Sequence, residues 1–77
     1  MYASYSDVTV HLPRALDARA RERLQQALET AHGVTRAEAN PRAPRLVVVH
    51  YDPTTISALG VLRTVQAQGI DARLVGM

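Results

Sequence analysis

Arg45-Leu46-Val47-Val48-Val49-His50-Tyr51, closed at once by Asp52-Pro53, is the stretch that decides how this chain folds. Three consecutive valines are stiff at the β-carbon and suit a pleated strand better than a helix. Side chains alternate along a strand, so Val47, Val49 and Tyr51 share one face, and Leu46, Val48 and His50 share the other. Both faces carry apolar groups, which predicts a central strand. Asp52-Pro53 then turns the chain.

Working outward, Asn40-Pro-Arg-Ala-Pro44 precedes that strand and reads as a hairpin loop marked by two prolines. Before it, Val34 to Asn40 predicts a weaker strand, with Ala37 and Ala39 on one side and Arg36 and Glu38 on the other. Residues 18 to about 31 predict a helix with Leu16, Ala20, Leu24, Ala27, Leu28 and Ala31 as its apolar stripe. Asp17 is the expected N-cap, and Gly33 is the expected left-handed residue at the C′ position. At the start, Asp7 to Leu12 alternates Val8, Val10 and Leu12 with polar residues, as a half-buried strand does. Downstream, Thr54 or Thr55 caps a second helix running to about Gln68. Its expected core positions are Ile56, Leu59, Leu62 and Val65, with Ala58 and Val61 at the margins. Gly60 inside it points to close packing. Gly69 ends the helix, and Ile70 to Val75 is a last short strand.

The order is β-α-β-β-α-β, which predicts an α+β, ferredoxin-like sandwich: a four-stranded antiparallel sheet with both helices on one face. The chain has 77 residues, enough for one small domain, with an ordered core expected over about 6–76. It contains no cysteine, which removes disulfides and every thiolate site. All nine basic residues are arginine, against seven acids, for a net charge of +2. The longest apolar run, Leu46 to Val49, is far short of the ~20 residues that cross a bilayer, so no membrane insertion is expected. Met1 to Asp7 shows neither a basic nor an apolar leader segment, and a cytoplasmic setting is the expectation.

Gly33-Val34, Val47-x-Val49-x-Tyr51-Asp52-Pro53, Ile56 with Leu62 and Val65, and Gly69-Ile70-Asp71-Ala72 together resemble the heavy-metal-associated domain. That domain occurs in copper chaperones and in the N-terminal tails of metal-pumping ATPases. The resemblance spans nearly the whole chain and implies the same ferredoxin-like fold. It also implies a Met-x-Cys-x-x-Cys metal site at the start of the first helix. Counting back from Gly33-Val34, the two cysteine positions fall at Asp17 and Ala20. The aromatic residue that often shields the metal in the last loop falls at Ile70. One carboxylate and one methyl group cannot replace two thiolates for a soft cuprous ion, and Arg14 and Arg19 repel a cation there. No cofactor and at most weak metal binding are therefore expected.

Other chemistry is thin. His11 and His50 are candidate ligands for weak Zn(II), Cu(II) or Ni(II) binding, but they are expected toward opposite ends of the sheet. The isolated acids form no catalytic arrangement, and an enzyme is not expected. The open sheet face, read as Asp7, Thr9, His11, Arg36, Glu38, Leu46, Val48, His50, Asp71 and Arg73, carries no aromatic on which a base could stack. That argues against nucleic acid. Two surfaces remain. The pole of the first loop gathers Arg14, Arg42, Arg45 and the free amides of the first helix, which fits an acidic protein partner or a small anion. The open face centres on Leu46 and Val48, which fits self-association. The expected function is a non-enzymatic binding module of metal transport or homeostasis, acting by protein contact.

Overall fold

The computed structural model describes residues 5–75, and the expected ordered end at 76 lies outside them. The strands are β1 (Ser6–His11), β2 (Val34–Asn40), β3 (Ala43–Tyr51) and β4 (Arg73–Val75), and the helices are α1 (Ala18–Thr30) and α2 (Ala58–Gln66). They form one antiparallel sheet in the order β2-β3-β1-β4. Both helices cover a single face of it, as the pattern requires. Val8, Val10, Val47, Val49 and Tyr51 meet Leu24 and Leu28 of α1 and Val61 and Val65 of α2 in one core. The expected split of β3 holds: Val47, Val49 and Tyr51 are buried, while Leu46, Val48 and His50 are half-buried. Among the described residues no helix is long and apolar enough to cross a membrane.

Several boundaries differ from the sequence reading, each for a local reason. The second helix is capped by Ser57, whose Oγ accepts from the Gly60 amide at 3.0 Å, and not by Thr54 or Thr55. Both threonines are engaged by Asp52, whose Oδ1 accepts from the Thr54 amide at 2.9 Å and hydroxyl at 2.7 Å, and whose Oδ2 accepts from the Thr55 hydroxyl at 3.1 Å. Because α2 starts at Ala58, its buried residues are Val61 and Val65, four apart, and Leu59 is 51% exposed. Ile56, which set the phase of the expected stripe, lies before the helix. The hairpin is also tighter than its prolines implied. Only Pro41 and Arg42 form the turn, and Pro44 lies within β3. Pairing with β2 jumps from Asn40↔Ala43 to Ala39↔Val47, so residues 44–46 have no partner on that strand. Proline lacks the amide that a ladder needs, and the interruption falls there. The last strand begins at Arg73, which leaves Ile70 and Asp71 in a loop and takes Asp71 off the open face.

Two glycines meet a steric or conformational need. Gly33 has φ +97°, two residues beyond the Ala31 cap and not at C′ as expected. A β-carbon there would lie 2.8 Å from Ile56 Cγ2 and 2.9 Å from Thr55 Cγ2. Gly60 packs as predicted: its β-carbon would come within 2.9 Å of Ile56 Cγ1.

Candidate functional site

The loop from β1 to α1, the β2–β3 turn and the loop from α2 to β4 meet at one pole of the sandwich. Their convergence follows from the topology. β1 and β2 end there and α1 begins there, while α2 delivers the chain back to the same end. Asp17 and Ala20 sit where the sequence reading put them, at the opening turn of α1. Asp17 is the N-cap, and its Oδ1 accepts from the Ala20 amide at 2.8 Å. That carboxylate fills the position an external anion would take at the helix end, so the free-amide part of the expected anion site is occupied from within.

Ala20 faces the last loop across a shallow hollow of about 200 Å³, lined also by Leu16, Leu24, Arg23, Gln68 and Ile70. A second hollow of about 280 Å³ shares Leu16 and Ile70 and adds Pro13, Arg14, Gly69 and Asp71. The floor is apolar where the two meet, and the rim carries Arg14, Arg23 and Asp71. The three docking candidates are exposed but differently held. Arg45 belongs to β3, not to the turn, and its Nε donates to the Leu12 carbonyl at 3.3 Å while Leu12 N donates back to Arg45 O at 2.7 Å. Arg42 lies in the turn, where its amide donates to Asn40 Oδ1 at 2.9 Å. Arg14 stands on the rim of the hollow. Arg36 is the one arginine of the described residues in an ion pair, so no carboxylate neutralises these three. The charge is divided along the molecule. Arg14, Arg19, Arg21, Arg23, Arg42, Arg45 and Arg73 lie toward the pole, against Asp17, Glu22 and Asp71, a difference of +4. The far end holds Arg36 against Asp7, Glu29, Glu38 and Asp52, a difference of −3, with Arg63 near the middle of α2.

The histidines do not meet. His11 pairs with Leu46 and His50 pairs with Asp7, four residues apart along the β1–β3 ladder, or roughly 13 Å. Among the described residues no three His, Asp or Glu side chains converge on one point. His50 has a different companion: its Nε2 lies 3.3 Å from Glu38 Oε2, and Glu38 Oε1 lies 2.9 Å from Arg36 Nη2. The sequence reading placed these residues on one face without joining them. Their contact depends on the register that puts Arg36 beside His50, and a misplaced hairpin end conceals it. Leu46 and Val48 lie mid-face, half-buried by the side chains around them. One titration is displaced. The hydroxyl and amide of Thr54, with Thr55, hold the Asp52 carboxyl below its ordinary value, at the pole opposite the arginines.

No model of a protein family matches the chain, and neither does any curated protein sequence. Solved structures match it along most of its length. The N-terminal soluble domains of Bacillus subtilis CopA superpose with a TM-score of 0.80 at 21% identity, covering 91% of this chain and 47% of that one. A copper-binding domain of a P-type ATPase gives 0.81 at 17% identity, over 91% and 93% of the two chains. The mercury-bound form of MerP, the periplasmic protein of the bacterial mercury detoxification system, gives 0.76 at 21% identity, over 92% and 97%. The chain therefore has the fold of these heavy-metal-associated domains.

Proposed function

We propose that this chain is a non-catalytic module of the heavy-metal-associated type that serves metal transport or homeostasis through protein contact, its arginine-rich pole docking an acidic surface. Neighbours of the same fold that bind copper or mercury support the setting. The observation that carries the reading is at the α1 N-terminus. Asp17 and Ala20 stand at the two thiol positions the resemblance implies, and the Asp17 carboxylate is spent on the Ala20 amide. A soft ion in a low-coordinate site needs sulfur, and this pole offers a methyl group, a committed carboxylate and guanidinium groups. Guanidinium groups suit carboxylates, which they grip in a planar fork. The cytoplasmic setting expected from the sequence belongs to the proposal, against the periplasmic setting of MerP, and cell fractionation decides between them.

Native mass spectrometry with Cu(I), with Zn(II) and without metal tests the first half. No stoichiometric adduct is expected, and a retained cuprous ion in the presence of a competing chelator would refute the reading. The second half is tested with the soluble domain of the metal pump whose gene lies nearest. Changing Arg14, Arg42 and Arg45 together to Gln is expected to weaken that complex and flatten its salt dependence. Unchanged affinity in a variant that melts like the parent would remove the docking claim.

A further inference from the structure

The sheet order leaves β2 as an outer strand seven residues long. Its free side opens onto a trough of about 430 Å³ between the strand and α1, walled by Gln25, Glu29 and the chain from Arg36 to Pro41. An edge strand presents unpaired amides and carbonyls, and natural sheets guard such edges with bulges or proline. Here the guards stand at the two ends: Thr35 bulges out of register between Val34 and Arg36, and Pro41 follows Asn40, whereas the second register break sets its extra residues 44–46 in β3 and leaves β2 itself regular. Between them, Arg36 to Ala39 pairs regularly with β3, so the outward side of that span keeps strand geometry.

The side chains of that span are their own complement. In an antiparallel pairing of two copies centred on Ala37, Arg36 lies opposite Glu38 of the second copy, and Glu38 lies opposite its Arg36. Centring on Arg36 or on Glu38 instead sets like charges against each other. Within one chain Arg36 and Glu38 already share the open face and touch at 2.9 Å. Residues directly opposite across a new strand pair would have β-carbons about 5 Å apart. The four charges then form a square whose sides are all attractive and whose diagonals alone are repulsive. Ala37 is buried beneath the sheet and places no bulk at the join.

We infer that β2 is a self-association edge, and that a second copy of this chain adds there in antiparallel register about Ala37. The two sheets become one of eight strands, with both helical layers on the same side. The bulge at Thr35 and the proline at 41 limit the contact to a few residues, which makes the dimer weak and concentration-dependent. This edge differs from the Leu46–Val48 face and from the arginine pole.

Sedimentation equilibrium on the full chain, from about 10 µM to about 1 mM, tests the inference. Monomer is expected at the low end and dimer at the high end. Arg36→Glu or Glu38→Arg alone should weaken association about tenfold or more, because each turns two attractive pairs repulsive. The exchange Arg36→Glu with Glu38→Arg restores the complement and should return the dimer to within about threefold of the parent. Both side chains are well exposed, at 68% and 42%, so circular dichroism should show all three variants folded. Leu46→Asp, on the open face but without a partner on β2, should leave the dimer intact. A parent that stays monomeric at about 1 mM, an exchange that fails to restore association, or a dimer lost only with Leu46→Asp would each overturn it.

Discussion

Putting sulfur back at the pole is the sharpest trial of the proposed reading. In the double variant Asp17→Cys with Ala20→Cys, two thiols stand at the N-cap and the third residue after it, on one turn of α1. The structural cost is set by one hydrogen bond, the 2.8 Å contact from Asp17 Oδ1 to the Ala20 amide. Losing an N-cap of this kind costs about 1 kcal/mol. A domain of 77 residues is stable by roughly 4–12 kcal/mol, so the variant stays folded with its melting temperature lowered by about 4–8 °C. Asp17→Ser keeps a capping oxygen and should melt close to the parent, which isolates the cap from the metal chemistry. The helix N-terminus, with Arg14 and Arg19 near it, lowers thiol pKa, so the new cysteines are available as thiolates. Titrated with Cu(I) against a chelating competitor and read by native mass spectrometry, the double variant should hold one ion. Each single cysteine should hold it far less well, and the parent should hold none. A folded double variant that ignores Cu(I) would show that Asp17 and Ala20 do not occupy the metal positions. A parent that holds the ion would show that the pole needs no sulfur.

Three further outcomes test the fold that builds the pole. Gly33→Ala meets both a positive φ and the side chains of Ile56 and Thr55 within 2.9 Å, and should cost about 2–4 kcal/mol in chemical denaturation. Gly69→Ala, with φ +81° and open space around it, should cost about 1 kcal/mol, and equal losses at the two sites would refute the packing argument. Val61→Ala should cost about 2 kcal/mol and Leu59→Ala under about 0.5 kcal/mol in thermal melts, the reverse of what the Ile56-phased stripe implies. Asp52, whose carboxyl is held below its ordinary value by Thr54 first and Thr55 last, contributes stability above the usual aspartate pKa and loses it as pH falls through the lowered one. Asp52→Asn should therefore flatten the acid limb of the stability profile below about pH 4, and an unaltered limb would remove that role.

The sheet was legible because its signals are local and periodic. Val47, Val49 and Tyr51 on one face and Asp17 at a cap follow from spacing and side-chain chemistry alone. What failed depended on competition between neighbouring groups. Thr54 and Thr55 are good caps in isolation, but Asp52 claims both, and the helix start passes to Ser57. Pro44 marks an interruption, as prolines do, yet the interruption affects only the β2 side while the β1 side continues through Leu46↔His11. At the pole, the Asp17 cap was legible and the contact that ties Arg45 to the first loop was not. Nothing in the spacing of Arg45 says that it reaches the carbonyl of a residue 33 positions earlier.

Those hydrogen bonds bear on how the pole works. A loop that closes around an ion is ordered by that ion, because ligand binding and folding draw on the same free energy. This loop is fastened by the chain. Leu12 and Arg45 exchange contacts through Leu12 N to Arg45 O and Arg45 Nε to Leu12 O, and Asp17 closes the first turn of α1. At the last loop, Gln66 Nε2 reaches the Ala72 carbonyl at 3.4 Å, and the Gly69 amide donates to Gln66 O at 2.9 Å. Three segments that would otherwise await a ligand are pinned beforehand. A surface set in advance loses little conformational entropy on contact, so charge complementarity can be spent on recognition and encounter rate. Arg14 and Arg42 stand on that fixed frame with no ion pair to a carboxylate among the described residues. On the proposed reading, the guanidinium groups that disfavour a cation at this pole are the same ones that would meet the carboxylates of a partner.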